Sequence, residues 1–449
     1  MLPDERGLIR LYPAEERAFV MNEDLESILD LIERHNTWRI KECINLIASE
    51  NVTSPLANAA YLSDAMHRYA EGLPFKRFYQ GTRYIDELEY KVSRLFASLF
   101  KSKYADVRAI SGTVANATAF TAIEKKGGTA IVLPLSGGAH VSHSKYGVLG
   151  RLGFKPMQMP IIQDELIPDV DETVSLIRRS SPKLIVLGAS VIIFPHPVKE
   201  IVEASEEVGA KVVFDAAHIL GLIAGEVYPN PLEEGAHIMT TSTHKTFPGP
   251  QGGAILTNSD ELYEKISRIV FPVFVSNHHL HRLAPLGVTT LEMMKFGKDY
   301  ATQIVRNAKK LAESLSEKGF KVLGEEKGFT QTHQVLLDVR SDGGGDKCAK
   351  KLEEANIIVN KNILPWDSPS DVHNPSGIRI GVQEVTRLGM REDEMEIIAD
   401  LIYQAIKLNR DTGELRRKVT EFKKNFVKVH YTFDIPPEKI RELTQLLLS

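Results

Sequence analysis

Residues 237–253 read HIMTTSTHKTFPGPQGG, and the fold can be worked out from this stretch outward. A short apolar run ends in four hydroxyl residues, Thr240, Thr241, Ser242 and Thr243, followed by His244 and Lys245. The turn Pro248-Gly249-Pro250 comes almost at once, and neither helix nor strand continues through it. A lysine between a buried strand end and such a turn has little room to reach solvent. Partly desolvated among hydroxyl dipoles, it would have a depressed pKa and a neutral amine, which Schiff-base chemistry requires. Upstream, VVFDAAH at 212–218 is a second apolar run, and it ends in Asp215. A strand-end Asp with a strand-end Lys suits pyridoxal phosphate, whose aldehyde takes the amine and whose ring nitrogen takes the carboxylate. Singly, the two residues also read as a solvated turn lysine and a helix-capping aspartate. As a pair they favour the cofactor.

Around this pair, apolar runs at 129–133, 184–187, 212–214, 237–240 and 254–256 read as strands, with helical segments at 172–179 and 199–208 between them. The alternation predicts an α/β domain with a mainly parallel sheet between helices. Ligands of such a sheet sit at the carboxyl ends of its strands, where Asp215 and Lys245 fall. A helical stretch at about 297–315 leads into a smaller C-terminal α/β domain. That domain has strand-like runs at 335–339, 357–359 and 378–380 and a helix at 347–355. The last sixty or so residues read as helical and charged. At the other end, 1–44 reads as a helical arm with Leu25, Ile28, Leu29 and Ile32 at helical spacing, an apolar face that needs a cover. INLIASENVTSP at 44–55 then passes from an apolar run into polar loop chemistry. The division expected is an arm over 1–48, a large cofactor-binding domain over 49–296 and a small domain over 297–449.

The 449 residues, 43% of them hydrophobic, suffice for two cores. Lys and Arg number 55 against 59 Asp and Glu, a balance that leaves no electrostatic footprint for nucleic acid or a membrane surface. The two cysteines, Cys43 and Cys348, suggest neither a disulfide framework nor a zinc site. The N-terminal residues lack the apolar core of a secretory signal, and no apolar run approaches the ~20 residues of a membrane span. The expectation is a soluble, cytoplasmic protein.

Other candidates carry chemistry. SGTVAN at 111–116 opens a helix whose free N–H groups, with the Ser and Thr hydroxyls, suit a phosphate; an ordinary N-cap is the plain alternative. There is no GxxxxGK[ST] motif, which weighs against a nucleoside triphosphatase. SGGAHVSH at 136–143 lets backbone approach a ligand closely and offers His140 as a flat ring to stack on a cofactor. Arg379, inside a short apolar strand, needs a carboxylate partner, which a substrate or a structural salt bridge could supply. Glu71, with Tyr69 and Tyr79 close by in YAEGLPFKRFYQG at 69–81, is a candidate acid/base group. His278, His279 and His281 lack the further ligands a metal needs, and no metal is expected.

Five stretches in order, INLIASENVTSP, YAEGLPFKRFYQG, DAAHILGL, THKTFPGPQGG and NPSGIRIGV, resemble serine hydroxymethyltransferase, a fold-type I pyridoxal-phosphate transferase, over roughly residues 44–395. The resemblance implies a mainly parallel seven-stranded sheet and the exchange of a one-carbon unit between serine, glycine and a reduced pterin. It implies Lys245 as the covalent cofactor lysine, Asp215 on the ring nitrogen, His140 stacked on the ring and His218 near its 3′-oxygen. Gly112, Thr113, Ser190, Ser242 and His244 would line the cofactor. Arg379 and Ser49 would bind the amino acid, while Tyr69, Glu71 and Tyr79 would reach in from the second subunit of a homodimer. There are departures. Val273-Phe274-Val275-Ser276-Asn277 replaces a glycine-rich segment, Trp366 stands where many members have Asn, Ala139 replaces Gly, and Ser242 replaces Thr. These are similar to archaeal members and leave the carrier as tetrahydrofolate or tetrahydromethanopterin. A threonine or β-hydroxy-amino-acid aldolase of the same fold, or a non-catalytic scaffold, are the competing readings.

Overall fold

The computed structural model describes residues 21–448. Its central sheet has seven strands: β1 (Tyr104–Asp106), β2 (Gly128–Val132), β3 (Phe154–Gln158), β4 (Leu184–Leu187), β5 (Lys211–Asp215), β6 (Ile238–Ser242) and β7 (Gly253–Thr257). Their order is β1-β7-β6-β5-β4-β2-β3. Strands β2 to β6 pair in parallel, and β7 runs antiparallel to both its neighbours. Successive side chains enter opposite cores: Ile185, Leu187, Val212 and Phe214 one, Leu184, Val186 and Val213 the other. That period-two split explains the unbroken apolar runs, since both faces of these strands are covered. Helix Gly112–Ile123 covers one face with Ala115, Ala119 and Phe120, and helix Val198–Glu207 covers the opposite face with Val198, Ile201 and Val202.

The expected long helix begins earlier than its sequence suggests, spanning Leu283–Glu317. Pro285 falls in its first turn, where a missing N–H breaks no hydrogen bond. Beyond it, β8 (Lys321–Val322), β9 (Gln334–Asp338), β10 (Asn360–Asn362) and β11 (Gly377–Gly381) form an antiparallel sheet of order β8-β9-β11-β10. The strand expected near 357–359 is not part of this sheet. Ile357–Ile358 pairs in parallel with Ile44–Asn45, and Ile44, Asn45 and Leu46 are buried there. Helices Thr412–Lys423 and Pro437–Leu448 follow.

Residues 1–20 of the expected arm lie outside the described residues; the rest holds helix Met21–Asn36, a further helical turn at Thr37–Glu42 and the short strand Ile44–Asn45. Leu25, Ile28, Leu29 and Ile32 are each more than half exposed on this chain. No helix among the described residues is long and apolar enough to cross a membrane.

Candidate active site

Asp215, the last residue of β5, is the centre of a buried polar cluster. Its Oδ2 accepts from Asn116 Nδ2 at 2.8 Å and from His143 Nε2 at 3.0 Å, and its Oδ1 from the Ala217 amide at 3.0 Å. Burial alone would push this carboxyl up. The His143 hydrogen bond, the nearby imidazoles and Asn116 outweigh burial and hold it well below the usual carboxylate range. Thr240 donates to Asn116 Oδ1 at 2.6 Å, which fixes that amide, and Asn116 also donates to Ser142 Oγ at 3.0 Å. Ser142 in turn meets His140, donating from its amide to Nδ1 at 3.2 Å with its hydroxyl at 2.7 Å. One chain of contacts thus joins the ring expected to stack on a cofactor to the carboxylate expected at that cofactor's ring nitrogen.

Lys245 follows β6 by three residues. Burial pulls its ammonium down to about 8; the Asp215 charge opposes this and Arg379 adds to it. Three of the four hydroxyls expected to surround the amine have other partners. Thr240 binds Asn116, Thr241 donates to the Ser242 carbonyl at 2.9 Å, and Thr243 donates to the Pro250 carbonyl at 2.6 Å, closing the turn. Desolvation, then, lowers the lysine. Thr246 donates to the His218 carbonyl at 2.7 Å and accepts from the Gly221 amide at 3.0 Å, tying the lysine loop to the loop after β5.

Gly112 opens helix Gly112–Ile123 against Ser242. A Cβ at position 112 would lie 2.5 Å from Ser242 Oγ, so only glycine leaves that approach open. Ser111 Oγ caps the helix by accepting from the Val114 amide, and Thr113 is exposed beside it. His244 is half-buried and kept neutral by burial, at about 4, with its Nδ1 buried and without a hydrogen-bond partner among the described residues. His140 is likewise held at about 4 by burial. His218 accepts from Gln334 Nε2 at 3.1 Å and stacks on His333 with ring centres 5.8 Å apart.

Arg379, in β11, is buried. Its Nη1 donates to the Ser190 carbonyl at 2.7 Å and its Nε to Asn360 Oδ1 at 3.2 Å, and among the described residues it meets no carboxylate. Burial is what pulls it down, to about 10. The turn carrying Ser49 lies alongside: His333 Nε2 donates to the Ala48 carbonyl at 3.2 Å, and Asn51 Nδ2 donates to the Lys245 carbonyl at 2.6 Å.

Tyr69, Glu71 and Tyr79 stand apart. Tyr69 and Tyr79 are exposed with ring centres 5.4 Å apart, and half-buried Glu71 accepts from Ser276 Oγ. Asn277 fastens the same loop, accepting from the Ala70 amide and donating to the Arg68 carbonyl. The departing segment 273–277 therefore ends as a clamp on the Glu71 loop. His278 Nε2 donates to Glu89 at 2.6 Å, and Glu89 also pairs with Arg77 at 2.7 Å. Trp366 lies against two cations, with Lys321 Nζ 4.6 Å and Arg340 Cζ 5.1 Å from its ring centre. Sequence reasoning singled out neither Asn116, His143, Gln334 nor Asn51.

The serine hydroxymethyltransferase family model matches residues 21–402. The serine hydroxymethyltransferase of Staphylothermus marinus is 58% identical, over 95% of this chain and 97% of its own length. That of Sulfolobus acidocaldarius is 56% identical, over 92% and 95%. Among solved structures, the L-threonine transaldolase of Pseudomonas fluorescens superposes with a TM-score of 0.85 at 28% identity, over 95% of this chain and 98% of that one. On this evidence the chain belongs to the serine hydroxymethyltransferase family, the α/β pyridoxal-phosphate enzymes that interconvert serine and glycine.

Proposed function

We propose that the protein interconverts serine and glycine with pyridoxal phosphate held covalently on Lys245, and that the one-carbon unit passes to a reduced pterin, tetrahydrofolate or tetrahydromethanopterin. The observation that carries the reading is the trio of a low-pKa lysine, an ionised aspartate and a buried guanidinium that meets no carboxylate among the described residues. The residues present fit the cofactor. Lys245 offers a readily neutralised amine, Asp215 an anion for a ring nitrogen, and the glycine at 112 a close approach beside Ser242. Pyridoxal phosphate, when bound, supplies an electron sink for charge developing at the α-carbon of the amino acid.

The chain's own residues do the rest. Asp215 keeps the ring nitrogen protonated, because its carboxylate is stabilised before any ligand arrives. His140, neutral, stacks on the ring and excludes water, and His218 faces the 3′-oxygen. Gly112, Thr113, Ser190, Ser242 and His244 line the phosphate and ring. Arg379 holds the substrate carboxylate with Ser49 beside it. Glu71 of the partner subunit moves a proton at the hydroxymethyl oxygen, with Tyr69 and Tyr79 of the partner subunit around the substrate, so the working unit is a homodimer. The exposed apolar face of helix Met21–Asn36 supports a second copy as its cover. Both cysteines are free and buried, in keeping with a reducing, cytoplasmic setting.

Lys245→Ala should abolish the covalent cofactor's visible absorbance and leave nothing for borohydride to fix. Cofactor fixed by borohydride at another residue of that variant would overturn the lysine assignment. A threonine-type aldolase is separated by the carrier: cleavage of serine that does not depend on added pterin would favour it.

A further inference from the structure

The Lys245 side chain can be aimed only if its backbone is held, and one side chain holds it from outside its own loop. Asn51 Nδ2 donates to the Lys245 carbonyl at 2.6 Å and to the Tyr300 hydroxyl at 2.9 Å, while Asn51 Oδ1 accepts from the Val52 amide at 2.8 Å. These partners settle which way the amide points, since the reverse orientation would set two oxygens against each other. Tyr300 is fully buried and passes the chain on, donating to the Gln383 carbonyl at 2.8 Å. Gln383 Nε2 donates back to the Ile47 and Glu50 carbonyls at 2.8 and 2.6 Å. The lysine loop, the turn bearing Ser49, helix Leu283–Glu317 and the residues just after β11 therefore share one closed set of hydrogen bonds.

We propose that Asn51 is a positioning residue for Lys245: its amide fixes the lysine backbone relative to the turn bearing Ser49, so that amine and substrate site keep one geometry. No other residue type supplies the same contact. Aspartate has no N–H to give, glutamine is a methylene too long, and serine offers one donor where two are used. The geometry matters because displacement of a reacting group by about 1 Å can cost about a hundredfold in rate.

This inference rests on Lys245 being the cofactor lysine, and the experiment separates the two. Asn51→Ala and Asn51→Ser are prepared as cofactor-loaded enzymes; serine keeps a donor, so it serves if alanine fails to fold. Expected in the folded variants are a kcat lower by about tenfold to a hundredfold and a KM for serine within about threefold. The pH midpoint of the cofactor's visible absorbance should move by about half a unit or more, since one unit reflects only about 1.4 kcal/mol of altered environment. Wild-type kcat and an unmoved midpoint in a folded variant, or a loss confined to KM or to melting temperature, would overturn the proposal. Borohydride labelling of the same samples reports on the lysine: fixation at a residue other than Lys245 would fail the cofactor assignment instead.

Discussion

A guanidinium in the interior is costly unless a negative group meets it, and among the described residues Arg379 has only a backbone carbonyl and an amide oxygen. A substrate carboxylate would complete that balance, and the planar fork would grip it in a way an ammonium cannot. Arg379→Lys should weaken glycine and serine binding by about 2–4 kcal/mol with the cofactor retained, as read by titration of the bound cofactor's spectrum with glycine. Unchanged glycine affinity would remove Arg379 from the substrate site. Arg379, Asp215 and Lys245 were legible in the sequence because each lies in or just after an apolar strand, where a charged residue needs a reason. Asn116 and His143 were not. Their meaning lies in contacts with Asp215 at sequence separations of 99 and 72 residues, and in isolation each is an ordinary polar side chain.

Among the elements, the start of helix Gly112–Ile123 is closely fitted. Its first residue faces Ser242 so closely that Gly112→Ala must displace one of them. Overpacking of this kind costs about 1–3 kcal/mol, and it should appear as a lower melting temperature together with weaker cofactor binding. Adding Ser242→Ala removes the clashing oxygen and leaves the nearest atom, Cβ, 3.7 Å away. The double variant should therefore recover the melting temperature lost by Gly112→Ala, a coupling that differential scanning calorimetry can read. Equal, additive losses would mean the two residues do not meet. Strand legibility follows burial in the same way. The five strands between the sheet's edges were readable as apolar runs. The two edge strands, β1 and β3, were not: β1 is three residues with a polar end, and β3 carries a proline and a lysine, which edges tolerate. The Ile357–Ile358 strand was readable as a strand, but its partner lies at the far end of the sequence.

At the scale of the molecule, the Glu71 loop is held by Ser276 and Asn277 with its aromatics exposed on this chain. A shared site makes a specific demand. Glu71→Gln and Lys245→Ala should each be inactive as pure proteins. When mixed under subunit exchange, each heterodimer should regain one working site, the one with an intact lysine and an intact glutamate. Exchange confirmed by native mass spectrometry without recovered activity would place Glu71 with its own chain's lysine or outside the chemistry.

The parallel pairing of Ile44–Asn45 with Ile357–Ile358 also sets an order of events during synthesis. The strands that present Asp215 and Lys245 have all emerged from the ribosome well before residue 357 is made. At about 5–20 residues per second, the stretch from Lys245 to Ile357 takes roughly 6–22 s. Through that interval the early segment bearing Ser49 and Asn51 has no strand to lie against, so the lysine's half of the site can form first. The half proposed to hold the amino acid is tethered in place only as translation nears its end.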